Sequence, residues 1–255
     1  MEMWKHKFEI KKDRWVHVPT TEIAEFGKKL HKFILKKWKA PLYYYHLRDG
    51  GHVMAARSHL MNEYFSLIDI SNFFESTSQS RVTRELKKIL PYINAREISK
   101  LSTVRVTSAK CKKFSLPYGF PQSPVLASLC LFNSYAGTLL HSLSKEGSIQ
   151  VSIYMDDIIL SGRELGALET SFELVCNALV KSRYEINQAK TQRPSRKIIA
   201  FNLELSHRHL KVTSVRLVAF LQAYAQSKNE FEKTGIATYV HSVSPEQARL
   251  HFPKK

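Results

Sequence analysis

A chain of 255 residues with 44% apolar and 11% aromatic side chains can bury one large core or two closely packed lobes, which excludes bulk disorder. Lysine and arginine number 39 against 22 acidic residues, a net charge of +17 that points to a polyanionic partner, because neutralised phosphates release condensed counterions. Charge alone does not separate nucleic acid from an anionic membrane or from simple solubility. No apolar run is long enough to span a bilayer, and Met1 to Val18 carry no apolar signal-peptide core, so a cytoplasmic, membrane-free protein is expected. Cys111, Cys130 and Cys176 show no CxxC spacing, and Cys130 and Cys176, in apolar helix-like runs, read as buried free thiols, which fits a reducing compartment.

Residues 22–38 predict a helix, with Ile23, Phe26, Leu30, Phe33, Ile34 and Trp38 on one face and Thr20 or Thr21 as cap. Its lysines (Lys28, Lys29, Lys32, Lys36 and Lys37) read equally as a solvated face or as phosphate contacts. Arg48-Asp49-Gly50-Gly51 is a turn signal, and residues 64–70 form an aromatic and β-branched strand that carries Asp69 near its end. Residues 80–90 have helical spacing and stop before Pro91. The strongest helix spans 123–143, with Ser123 as N-cap and Pro124 in the first turn. A hairpin follows over 151–161, a helix over 165–181, a second hairpin over 198–212 turning near His207-Arg208, and a last helix over 214–228. This order is α+β with a mainly antiparallel sheet, compatible with a ferredoxin-like arrangement.

Three stretches carry chemistry. Tyr154-Met155-Asp156-Asp157 puts two acids into the turn of an apolar hairpin, where adjacent carboxylates repel unless solvated or neutralised. Asp69 ends a neighbouring strand, and two or three carboxylates meeting there can hold paired Mg²⁺ ions through oxygen ligands. Leu116-Pro117-Tyr118-Gly119-Phe120-Pro121-Gln122-Ser123-Pro124 feeds a Gly/Pro-rich loop into a helix N-terminus, a place where backbone can approach a phosphate.

Taken in order, Asp69-Ile70-Ser71-Asn72-Phe73-Phe74, Gly119 to Pro124, Tyr154 to Asp157 and Asn187-Gln188-Ala189-Lys190-Thr191 resemble palm motifs A to D of reverse transcriptases. The likeness covers roughly residues 45–212. It is nearest to the bacterial group of retron, group II intron and phage-defence enzymes. It implies a palm-and-fingers fold with a short helical thumb remnant, divided as residues 1–63 (N-terminal helix and fingers), 64–212 (palm, motifs A to E) and 213–255 (thumb-like helix and tail). It also implies RNA-directed DNA synthesis from dNTPs with two Mg²⁺ ions, Mn²⁺ being a substitute. Asp69, Asp156 and Asp157 would bind metal with help from the Ile70 carbonyl. Lys190 would donate a proton to pyrophosphate, and Phe74, beside Phe73, would exclude a ribose 2′-hydroxyl. Gly119 and Gln122 would line the nucleotide site, and residues 201–212 resemble the primer grip.

Tyr118 stands where the family has glutamine, so nucleotide contacts there differ. The finger residues do not align, which leaves Arg48 and Arg57 as triphosphate ligands or ordinary surface arginines. Because only one helix is expected after residue 213, the missing clamp would come from a structured noncoding RNA, a partner protein or another copy of the chain. Template-independent or protein-primed DNA synthesis, and a catalytically inactive RNA-binding scaffold, are the competing functions.

Overall fold

The computed structural model describes residues 3–11, 14–108 and 111–252. It opens on a hairpin of β1 (Trp4–Lys11) and β2 (Arg14–Pro19). Helix α1 (Thr21–Lys37) follows, its first turn closed by the Thr20 hydroxyl, which accepts from the Ile23 N–H. Ile23, Leu30 and Ile34 are buried while the five lysines stay exposed, as the apolar stripe predicts. A short 3₁₀ turn (Tyr45–Leu47) leads to α2 (Gly51–Arg57), entered through Gly50 at φ 91.

The central strand β3 (Tyr64–Ser71) is followed by α3 (Gln79–Leu86), α4 (Tyr92–Leu101) and the hairpin β4 (Val104–Ser108) and β5 (Cys111–Ser115). Then come α5 (Ser123–Phe132), α6 (Tyr135–Glu146), the hairpin β6 (Gln150–Tyr154) and β7 (Asp157–Gly162), α7 (Leu165–Lys181), β8 (Glu185–Ile186) and β9 (Gln192–Ser195). Three short strands, β10 (Lys197–Ala200), β11 (Leu203–Ser206) and β12 (His209–Val212), precede α8 (Ser214–Gln226), α9 (Glu230–Val243) and α10 (Pro245–His251).

The sheet that organises the molecule runs β6-β7-β3-β8, with β9 also on β3, and every pairing is antiparallel. Side chains on β3 alternate faces. Ile68 and Ile70 point into a core built with α1, α3, α5, α6 and α7, whereas Phe65 and Leu67 point into a second core with β10–β12 and the last three helices. Each such buried side chain contributes about 1.5–3 kcal/mol. Both faces of β3 are therefore covered, and Asp69, two residues beyond Leu67, falls on the second face at the strand's open end.

Four expectations need correction. The helix of residues 123–143 is two helices bent by 78°. Ser123 lies inside α5 after Gln122, while Ser134 caps α6 by accepting from the Gly137 N–H at 3.2 Å. A Cβ on Gly137 would meet the Leu131 and Phe132 carbonyls at 2.2 Å, so this glycine lets the second helix turn tightly against the end of the first. The helix of residues 80–90 ends at Leu86. The second hairpin is a three-stranded meander, with Phe201 and Asn202 at positive φ making an extra turn. The tail holds three helices instead of one. Leu217, Val240, Val243, Ala248 and Phe252 are buried, and the Gln247 amide grips both the N–H and the C=O of Val212. The thiol of Cys130 is buried, which pushes it up to about 12, and Cys176 is half-buried. Among the described residues no single helix is long and apolar enough to cross a membrane.

Candidate active site

The acids meet because the register puts them together. Asp69 pairs with Asp157 across β3 and β7, so both side chains leave the same face. Asp156 sits in the turn between β6 and β7, and its carbonyl accepts from the Ile70 N–H at 2.8 Å. That turn needs Met155 in the left-handed region at φ 56, which costs a non-glycine residue about 1–2 kcal/mol. His46 offsets the cost. Its Nδ1 accepts from the Met155 N–H at 2.9 Å, and its Nε2 lies 2.7 Å from the Ser128 hydroxyl, which donates to the Pro124 carbonyl at 2.9 Å. With Nδ1 and the hydroxyl both engaged in this way, Nε2 must carry the proton. Burial agrees, lowering the imidazole to about 4 and keeping it neutral.

Lys190 reaches Asp69 directly, Nζ to Oδ2 at 2.9 Å, and that bond raises its own pKa. The lysine is placed by a tight turn in which the Lys190 and Thr191 N–H groups donate to the Asn187 carbonyl, while the Asn187 N–H donates to the Asp69 carbonyl. The Thr191 hydroxyl accepts from the Asp69 N–H at 3.2 Å. Asp156 is raised above the usual carboxylate range, chiefly by burial and then by Asp69. Asp157 is raised to about 7 by burial, then by Asp156 and Asp69.

Three carboxylates and one ammonium leave a negative excess that a cation would relieve. Among the described residues no three histidine, cysteine, aspartate or glutamate side chains stand close enough to hold an ion by themselves. The oxygen-only donors still fit a hard divalent ion that shares its coordination with a phosphate. Lys190 now occupies Asp69 Oδ2 and would have to yield to such an ion.

Beside the acids lies an aromatic pair. Phe74 is buried and meets Tyr118 edge to face at 4.9 Å, and the Arg14 guanidinium lies 5.0 Å from the Tyr118 ring. The Arg14 charge opposes the rise at Asp156, as the smallest of the influences on that carboxyl. Burial drives the Tyr118 phenol up to about 12. Gly119 has φ 101, and a Cβ there would strike the His17 carbonyl at 2.3 Å.

Other candidates point away. Phe73 is packed against Tyr184 and Phe74 in the core, so only its backbone is free to face a ligand. Gln122 is fully buried, its amide donating to Ser102 at 3.4 Å beside Gly27. Arg48 donates to the Leu42 carbonyl and lies over Tyr45. Arg57 holds the Ser242 and Val243 carbonyls at the end of α9. Arg14 and His46 were missed. The alternation of Trp4, His6, Phe8 and Ile10, repeated at Trp15 and His17, was the available signal for the hairpin that carries Arg14. A lone histidine after three tyrosines gave no signal for His46.

No curated protein matches the chain. Among solved structures it is similar to the foamy viral protease-reverse transcriptase dRH in complex with ds DNA, at TM-score 0.50 and 18% identity over 91% of this chain and 34% of that one. It is also similar to the foamy viral protease-reverse transcriptase in complex with RNA/DNA hybrid, at TM-score 0.44 and 19% identity over 71% of this chain and 22% of that one. The chain thus spans about a third or less of those proteins. Residues 6–230 match the model for reverse transcriptase (RNA-dependent DNA polymerase), and the chain belongs to that family.

Proposed function

We propose that this chain is an RNA-directed DNA polymerase that adds dNTPs to a primer 3′ end at Asp69, Asp156 and Asp157. The observation that carries the reading is the set of registered, partly neutralised carboxylates with Lys190 at hydrogen-bond distance from Asp69. Divalent ions, Mg²⁺ or in its place Mn²⁺, would supply activation of the 3′-hydroxyl and charge stabilisation on the leaving pyrophosphate. Asp69 and Asp156 would hold them, with Asp157 and the Ile70 carbonyl assisting. Lys190, freed from Asp69, is the proton donor to pyrophosphate. Phe74, braced by Tyr118, presses on the sugar and favours deoxynucleotides. Arg14 takes the triphosphate-binding role that Arg48 and Arg57 are not placed to fill. The wording of the four motifs supports a bacterial setting of the retron or phage-defence kind, with a structured noncoding RNA as template.

A catalytically inactive scaffold would gain nothing from burying Asp156 beside Asp157, an arrangement that costs stability. The test is incorporation of labelled dNTPs on a primed RNA with a divalent ion. Asp69→Asn and Asp156→Asn should each lose about 10³-fold in rate, roughly 4 kcal/mol of transition-state stabilisation. Wild-type rates in either variant would overturn the assignment.

A further inference from the structure

A second cavity, of about 1020 Å³, adjoins the catalytic strand without containing it. Ser71 and Asn72 line it, directly after Asp69 and Ile70, but none of Asp69, Asp156, Asp157 or Lys190 does. Its walls bring together Arg81 and Arg84 of α3, Lys113 of β5, and Lys181 and Arg183 at the end of α7. Two acids, Glu75 and Glu185, also line it, so the cations prevail by three charges.

These cations do not serve one another's neighbours equally. Arg81 is structural, donating to the Ser76 and Ser182 carbonyls and lying 4.5 Å from the Tyr184 ring. Arg84 pairs with Glu85. Lys113, Lys181 and Arg183 are exposed and have no acidic partner among the described residues. The Ser76 hydroxyl is committed to the Phe73 carbonyl at 2.8 Å, while the Ser78 and Ser80 hydroxyls bond each other at 3.0 Å and leave one neutral donor on the same wall. Such a surface suits phosphate oxygens.

We infer that this cavity binds the phosphodiester backbone of a single nucleic-acid strand running outside the catalytic cleft. The ligand is a strand and not a compact nucleotide because the free cations come from separate elements, β5 and the end of α7. Among the described residues there is also no aromatic slot for a base: Tyr135, the one aromatic lining residue among them, has Lys181 over its ring at 5.6 Å. Recognition is by charge, so it is indifferent to sequence. The inference rests on the polymerase reading only for the choice of ligand.

The test reads binding without dNTP or divalent ion, so it stands apart from polymerase activity. The wild type is compared with a Lys113→Gln, Lys181→Gln, Arg183→Gln triple variant on fluorescein-labelled oligouridine, by anisotropy across a salt series. Each single-strand phosphate contact contributes about 0.7 to the slope of log K on log salt, so the variant's slope should be shallower by about two. Raising salt from about 50 to about 200 mM should then weaken the wild type about 18-fold more than the variant. Equal slopes overturn the inference. So does an unchanged slope accompanied by loss of inorganic triphosphate binding, which would assign the cavity to a small anion. Should the triple variant lack a cooperative melt, the Lys113→Gln and Arg183→Gln single variants carry the test, each expected to reduce the slope by about 0.7.

Discussion

Replacing Asp157 with asparagine should stabilise the protein while weakening catalysis. The carboxyl has been displaced from 3.8 to about 7 by burial and by Asp156 and Asp69, so at neutral pH and above its charge is held against the fold. Between those two values the folded protein keeps a proton that the unfolded chain has released. Stability is therefore fully present below about pH 4 and is lost as pH rises to about 7. The displacement corresponds to about 4 kcal/mol, and solvent reaching the site reduces this to about 2 kcal/mol. Asparagine keeps the shape and removes the charge. In chelator, Asp157→Asn should melt about 4–8 °C above wild type at about pH 8.5, with the gap closing toward about pH 4. Adding a divalent ion should raise the wild type more than the variant, because a ligand at free concentration L stabilises the folded state by RT ln(1 + L/Kd) and so more where it binds more tightly. Differential scanning fluorimetry at several pH values measures both effects. A gap that does not change with pH would refute the reasoning, since it would mean that the carboxyl carries no displaced proton.

Three further substitutions probe the neighbouring groups. Phe74→Val opens the space that the ring shares with Tyr118, so kcat/KM for ribonucleotides relative to deoxynucleotides should rise about tenfold or more; an unchanged ratio places the sugar gate elsewhere. Arg14→Ala should raise KM for dNTP about tenfold with a smaller effect on kcat, as expected when a charge-assisted contact to the triphosphate is lost; equal KM values remove Arg14 from the site. His46→Ala leaves the Met155 N–H without its acceptor and removes the N–H that the Ser128 hydroxyl accepts, and should cost about 2–3 kcal/mol in urea unfolding. A loss below about 0.5 kcal/mol would show that the turn holds itself.

How far the site was legible depended on whether its parts were local. Asp69, Asp156 and Asp157 sit at strand ends and a turn whose apolar flanks announce them, whereas Lys190, in the polar stretch Asn187-Gln188-Ala189-Lys190-Thr191, was legible only through the family resemblance. The structure puts all four in one neighbourhood. The long helix failed because apolar spacing continues through Asn133-Ser134 while the chain turns there, a break that depends on Gly137 packing against carbonyls of the preceding helix. The last two helices failed for a different reason. Their apolar residues, such as Ile236, Val240 and Val243, are sparse and find their core only on the meander, which local periodicity does not reveal. Arg57 illustrates the same limit: its charge invited a phosphate, and tertiary packing gave it the carbonyls at the end of α9.

Left-handed backbone occurs in several loops around the site, though not in the turn that carries Lys190. Asn72 follows the catalytic strand at φ 48, Met155 precedes the paired acids at φ 56, Phe201 and Asn202 make the meander turn at φ 58 and 61, and Gly119 lies at φ 101. In the non-glycine residues such strain persists only where surrounding contacts over-determine it, whereas glycine adopts positive φ freely. At Gly119 the contacts that demand a glycine are visible. The His17 N–H donates to the Tyr118 carbonyl at 2.9 Å, Val16 bridges Tyr118, and the His17 carbonyl fills the space a side chain would need. The N-terminal hairpin is thus fastened at Tyr118 and Gly119 to the loop that precedes α5, and Arg14 rides on that hairpin. Gly119→Ala should therefore cost at least about 2 kcal/mol, from the positive φ and from the forced withdrawal of β2. It should also raise KM for dNTP by withdrawing Arg14. If the two effects share this route, adding Arg14→Ala to Gly119→Ala raises KM no further, since coupled sites are non-additive. Fully additive KM changes in the double variant would separate the hairpin from nucleotide binding and leave Gly119 with a folding role alone.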